Sequence, residues 1–159
     1  MLLIVFHSAT GGTRAMAEAA LAGARAEGEA RLLHAAEAGP QDVLDAAAYL
    51  FAAPENLASL AGVMKDFFDR TYYPVLERLN GRPYAAMICA GSDGQGAARQ
   101  IARIATGWRL REVAAPLIIC TRAQTPEAIL APKTIPPADL ARCHELGAAL
   151  AAGTKLGIF

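Results

Sequence analysis

Charge of either sign is scarce in this chain: 15 Lys and Arg balance 15 Asp and Glu among 159 residues, and charged residues make up only 19%. A net charge of zero leaves no electrostatic footprint for nucleic acid or for an anionic membrane surface. Cysteine is nearly absent. Cys89, Cys120 and Cys143 are odd in number and lack C-x-x-C spacing, which argues against a disulfide framework and a zinc site. Cys89 and Cys120 lie in apolar runs and read as buried small hydrophobes with a packing role. None of His7, His34 and His144 has a second ligand at i+4, so no metal is expected. No Ser-His-Asp order or carboxylate pair stands out, and no catalytic side chain is assigned. Long apolar runs are missing as well. Although 54% of the residues are hydrophobic, no stretch reaches the ~18 uncharged residues that suggest a membrane span. The N-terminus has no basic region of the kind that opens a signal peptide. The expectation is a cytoplasmic protein with neither a nucleic-acid partner nor a membrane span.

What is present begins with the first seventeen residues, MLLIVFHSATGGTRAMA. Leu2 to Phe6 is an apolar run of strand length, and an Ala-rich helix starts at about Arg14. Between them Ser8, Thr10, Gly11, Gly12 and Thr13 supply hydroxyls and flexible backbone. A helix N-terminus presents unpaired N–H groups and the positive end of its dipole, so a strand, loop and helix in this order suit a phosphate. The Gly-Lys-Ser/Thr ending of an NTP-binding loop is missing, and so is a G-x-G-x-x-G fingerprint. Ser8 and Thr13 are expected to lie outside the core.

Strands and helices alternate along the rest, with no repeat and no long linker. Further strands are expected at Ala30 to His34, Ala48 to Ala53, Tyr84 to Ala90 and Leu117 to Cys120. A helix started by Pro40 runs to about Ala47. Leu60, Val63, Met64, Phe67 and Phe68 form an i, i+3, i+4, i+7, i+8 stripe, and Ala97, Ile101, Ile104, Ala105 and Trp108 another. A last helix starts after Pro136-Pro137 and ends near Gly153. A chain of this length is one domain, residues 1–159. Five strands, four of them almost continuously apolar, imply an α/β fold with a parallel sheet covered on both faces, the weak second strand at an edge.

The first loop resembles the flavodoxin signature, with Ile4-Val5-Phe6, Ser8, Gly11, Thr13 and Ala17 in its places; Ala20 departs from the aliphatic residue that usually closes it. The segment Ala53 to Arg70, with Pro54 and the ending Lys65-Asp66-Phe67-Phe68-Asp69-Arg70, is similar to the NAD(P)H-dependent FMN reductase and quinone reductase branch of that superfamily. The resemblance implies a flavodoxin-like three-layer sandwich with a five-stranded parallel sheet of order 2-1-3-4-5, and FMN at the switch point between strands 1 and 3. It places Ser8, Thr10, Gly11, Gly12 and Thr13 round the 5′-phosphate. Pro54, Glu55, Asn56, Leu57 and Ala58 in one loop, and Gly91, Ser92, Asp93, Gly94 and Gly96 in another, fall beside the ring. Backbone N–H groups of the second loop would meet the pyrimidine edge.

Small flavodoxins cover the flavin with aromatic side chains, and neither ring loop here contains one. An open ring face and the lack of acidic excess favour an enzyme: an FMN flavoprotein taking electrons from NADPH or NADH to a small acceptor such as a quinone, a nitro-compound or free flavin. A one-electron carrier, or a flavin-free interaction module, stays open, as does a homo-oligomer. Tyr72 and Tyr73 follow the third helix closely and could reach the ring, with packing as their other role. Lys65, Asp69 and Arg70 read as helix-surface ion pairs.

Overall fold

A computed structural model describes residues 1–159. In chain order the elements are β1 (Leu2–Phe6), α1 (Gly12–Glu27), β2 (Ala30–His34), α2 (Pro40–Asp45), β3 (Ala48–Asn56), β4 (Ser59–Leu60) and α3 (Gly62–Val75). They continue with β5 (Pro83–Ala90), α4 (Gln95–Gly107), β6 (Arg111–Glu112), β7 (Leu117–Cys120), α5 (Pro126–Leu130) and α6 (Pro137–Leu156). The sheet runs β2-β1-β3-β5, and the far side of β5 is shared by β6 beside its first residues and β7 beside its last. All these pairs are parallel. The five long strands thus have the expected order, and the fold is a flavodoxin-like three-layer sandwich. Two short strands, β4 and β6, are additional.

The apolar runs explain this arrangement. A strand buried on both faces alternates its side chains between two cores. Leu3 and Val5 of β1 enter a core with α2, α3 and α4, where Phe51, Phe67, Phe68 and Trp108 gather. Leu2, Ile4 and Phe6 enter the opposite core with α1 and α6. β2 lies at the edge, and four of its five residues are only half-buried or exposed.

On the second face, α1 and α6 meet through glycines. A Cβ on Gly23 would come within 2.0 Å of the His144 carbonyl oxygen, and one on Gly147 within 2.0 Å of the Ala20 oxygen. The two helices therefore touch backbone to backbone, a separation no larger residue permits.

Three expectations change. β3 continues to Asn56, because Glu55 and Asn56 pair antiparallel with Leu60 and Ser59. Pro54 to Asn56 is therefore strand, and the turn contracts to Leu57-Ala58, with φ of 50° and 62°, the left-handed pair of a two-residue hairpin. Leu60, expected on a helical stripe, belongs to β4. Cys120 is exposed rather than buried, since it ends an edge strand in which Ile119 is the residue that enters the core. Helix α5 was not anticipated, although Thr125-Pro126-Glu127 is a helix-start pattern: the Thr125 hydroxyl accepts from the Ala128 N–H at 3.2 Å.

Candidate functional site

A cavity of about 300 Å³ opens at the carboxyl ends of β1, β3 and β5, the switch point of the sheet. Its floor is the start of α1. Gly11 stands before the helix with φ 93°, a left-handed conformation, and its N–H donates to the Ser8 hydroxyl oxygen at 3.1 Å. Ser8 thereby closes the loop on itself. The N–H groups of Gly12, Thr13 and Arg14 make no hydrogen bond within the chain. Helix ends with buried donors need an acceptor. Gly12 and Thr13 are buried, so Thr13, at 2% exposure, belongs to the interior and not to the rim expected of it. A Cβ on Gly12 would lie 2.8 Å from Cys89 Sγ and 3.3 Å from Lys133 Cβ. Only glycine lets the helix start this close to β5.

The second wall is the β3–β4 hairpin, from which Pro54, Glu55 and Asn56 line the cavity. Leu57 and Ala58, at the tip, do not; Leu57 is fully exposed. Glu55 reaches across to α4. Its carboxylate accepts from the Gly94 N–H at 2.9 Å and the Ala97 N–H at 3.0 Å, so it caps that helix as a charge-assisted acceptor. In the 91–96 loop the Gly94 amide is thereby occupied, while those of Ser92 and Asp93 have no partner in the chain. Of the loop's residues only Gly91 lines the cavity. Gly94 packs on Ile118 and Ile88, and Gly96 on the Ala58 carbonyl. Ser92, Asp93, Gly94 and Gly96 do not line the cavity; the Gly94 amide is taken by Glu55 and Gly96 lies against the Ala58 carbonyl.

The third wall was missed. After β7 the chain turns back, with Thr121 and Arg122 donating to the Ala90 and Gly91 carbonyls at 2.8 Å, and Lys133 donating to the Thr10 carbonyl at 2.8 Å. Thr121, Ala123, Ile129, Leu130 and Lys133 come to line the cavity, together with Ala9, Cys89 and Ala90. Ile129 and Leu130 are exposed large hydrophobics. Burial pushes the Cys89 thiol up, against the pull of the Lys133 charge and a Thr13 hydrogen bond.

Of the remaining candidates, His7 Nδ1 and His34 Nε2 lie 3.2 Å apart beside the β1 end. Burial first, and His34 second, lower the pKa of His7. No group of three His, Cys, Asp or Glu comes together. Tyr72 stacks on Trp108 with centroids 5.9 Å apart and accepts the indole N–H at its carbonyl; Tyr73 is exposed, and neither lines the cavity. Lys65 pairs with Asp69 at 2.6 Å and Arg70 with Asp66 at 2.7 Å. Arg70 also donates to the Ala35 and Ala38 carbonyls, a link from α3 to the β2–α2 connection. No helix is long and apolar enough to cross a membrane.

Residues 28–119, more than half of the chain, match the family described as NADPH-dependent FMN reductase. The chain belongs to that family. The matched span of this FMN reductase family member runs from the residue after α1 into β7, and so leaves out the α1 loop and the 121–135 wall. A flavodoxin from the domain Archaea has the same fold, with TM-score 0.75 and 20% identity over 97% of this chain and 98% of its own. A flavodoxin, WrbA-like protein from Agrobacterium tumefaciens superposes with TM-score 0.72 at 18% identity, covering 98% of this chain and 97% of that one. The flavodiiron protein from Giardia intestinalis gives TM-score 0.78 at 20% identity over 98% of this chain, which spans 36% of that longer protein. No curated protein sequence matches the chain.

Proposed function

We propose that the cavity binds FMN with its phosphate at the α1 N-terminus, and that the protein passes electrons from NADPH or NADH to a small acceptor such as a quinone, a nitro-compound or free flavin. The observation that carries this reading is the buried start of α1, whose Gly12, Thr13 and Arg14 amides have no acceptor in the chain and border a cavity of about 300 Å³. A phosphomonoester offers three strong acceptor oxygens and negative charge, which fits those donors and the helix dipole. When bound, FMN supplies the redox chemistry, accepting hydride at N5.

The chain's own part is binding and orientation. Ser8, held by the Gly11 amide, fixes the shape of the loop and has its hydroxyl hydrogen left to donate. Thr10, Gly12 and Thr13 complete the phosphate floor, and Pro54, Glu55, Asn56 and Gly91 edge the ring. No aromatic side chain lines the cavity, which leaves a flavin face for a nicotinamide or a planar acceptor. That openness supports an enzyme over a one-electron carrier, within the family shown by the 28–119 match.

Fluorescence titration tests the reading. FMN should bind at close to one per chain, and riboflavin about a hundredfold or more weakly, since several charge-assisted hydrogen bonds at roughly 1.5–3 kcal/mol each are lost with the phosphate. Equal affinities would end the assignment of the α1 loop. Anaerobic mixing of the loaded protein with NADPH and NADH separately should bleach the flavin absorbance in one two-electron step. No reduction by either nucleotide would move the protein to the carrier class.

A further inference from the structure

The 121–135 wall brings one positive side chain to the cavity. Among the residues that line it only Glu55 and Lys133 are charged, and the Glu55 carboxylate is engaged at the start of α4. Lys133 has no acidic partner. Its backbone is stitched to the phosphate-type loop: its N–H donates to the Thr10 carbonyl at 2.8 Å, and its Cβ is the neighbour that a Cβ on Gly12 would meet at 3.3 Å. Its ammonium is gathered by the carbonyls that end α5, donating to Ala128 at 2.7 Å, to Ile129 at 2.8 Å and to Ala131.

From this placement we infer that Lys133 is a counter-charge for the ligand's phosphate, one that acts through space, since its three ammonium hydrogens are taken by α5 carbonyls, and that adds to the preference which the α1 amides give a phosphomonoester over its neutral analogue. The inference rests on the FMN reading and adds to it a cation supplied from the far end of the chain. A helix N-terminus alone contributes about half an elementary charge, whereas a phosphomonoester carries nearly two at neutral pH. Lys133, anchored beside the same loop, narrows that gap. Because the same ammonium ends α5, the wall that carries Ile129 and Leu130 is fastened by the charge that faces the phosphate site.

The test is the ratio of FMN to riboflavin affinity in Lys133→Gln, which keeps donors for the α5 carbonyls but no charge, and in Lys133→Met. Both should weaken FMN about tenfold, as expected for the loss of a through-space charge interaction in a partly solvated site, and leave riboflavin within about twofold. Lys133→Arg should keep most of the selectivity. Wild-type preference for FMN tests the underlying reading on its own. Given that preference, equal weakening of both ligands in Lys133→Gln, or no weakening of either, overturns the role assigned to Lys133 and leaves it only a wall-fastening residue. Should Lys133→Met lose its fold by circular dichroism, Lys133→Gln and Lys133→Arg decide.

Discussion

Helices α1 and α4 begin alike and end up with opposite uses. Each follows a central strand of the sheet and starts from a left-handed glycine, Gly11 at φ 93° and ψ −18° and Gly94 at φ 86° and ψ −14°. Neither glycine has a side chain to cap its own helix. At α4 the Glu55 carboxylate takes the Gly94 and Ala97 amides. At α1 the Ser8 hydroxyl takes the Gly11 amide alone, and nothing in the chain takes those of Gly12, Thr13 and Arg14. The N-cap amide is satisfied at both starts and the next two amides at neither; the difference is the third helical amide, taken by Glu55 at Ala97 and left open at Arg14. What decides between them is a side chain supplied by a different element, so the local motif by itself does not say which helix start is a binding site.

The sharpest way to break this comparison is to uncap α4. Glu55→Ala leaves the Gly94 and Ala97 amides without their acceptor. It should destabilise the ligand-free protein by about 2 kcal/mol, which for a domain of this size lowers Tm by roughly 4–8 °C. An unchanged Tm in calorimetry would show that the α4 cap does no structural work. At α1 the balance should be inverted: Ser8→Ala and Thr13→Ala should each weaken FMN about tenfold, the value of one net hydrogen bond of roughly 1.4 kcal/mol, and lower the Tm of the ligand-free protein less than Glu55→Ala does. Two variants that bind FMN like the parent would make the α1 loop a helix start and nothing more. The smallest effect concerns the turn that carries Glu55 to α4. Leu57 and Ala58 hold left-handed conformations that L-residues avoid, and Asn-Gly suits such a turn. Leu57→Asn with Ala58→Gly should raise stability by about 1 kcal/mol and Tm by roughly 2–4 °C. A fall instead would reveal a contact made by the Leu57 tip.

The sheet was legible because its signal is local: Leu2 to Phe6, Ala30 to His34 and Leu117 to Cys120 are strands with the bounds that the apolar runs suggest. The phosphate-type floor was legible for the same reason, since strand, loop and helix are adjacent in sequence. The ring-side edge was less so. Glu55 lay in the expected loop, yet whether it faces a ligand or a helix end depends on α4, some forty residues away. The three glycines between Gly91 and Gly96 signalled a close backbone approach; at Gly96 the approaching group is the Ala58 carbonyl, a part of the protein itself. Lys133, Ile129 and Leu130 carried no local pattern that ties them to residues 8–13, and only the return of the chain after β7 brings them there. Thr125-Pro126-Glu127 was the one readable sign of that wall.

The glycine contact between α1 and α6 has a consequence for the order in which the protein is made. Residues 8–13 are synthesised well before Gly147 and His144, the residues of α6 on which the helix that anchors them rests. Until those residues emerge, α1 has only the strands of the sheet to pack against and lacks its helix neighbour. The part of the cavity that is synthesised first is thus the part whose completion must wait for α6.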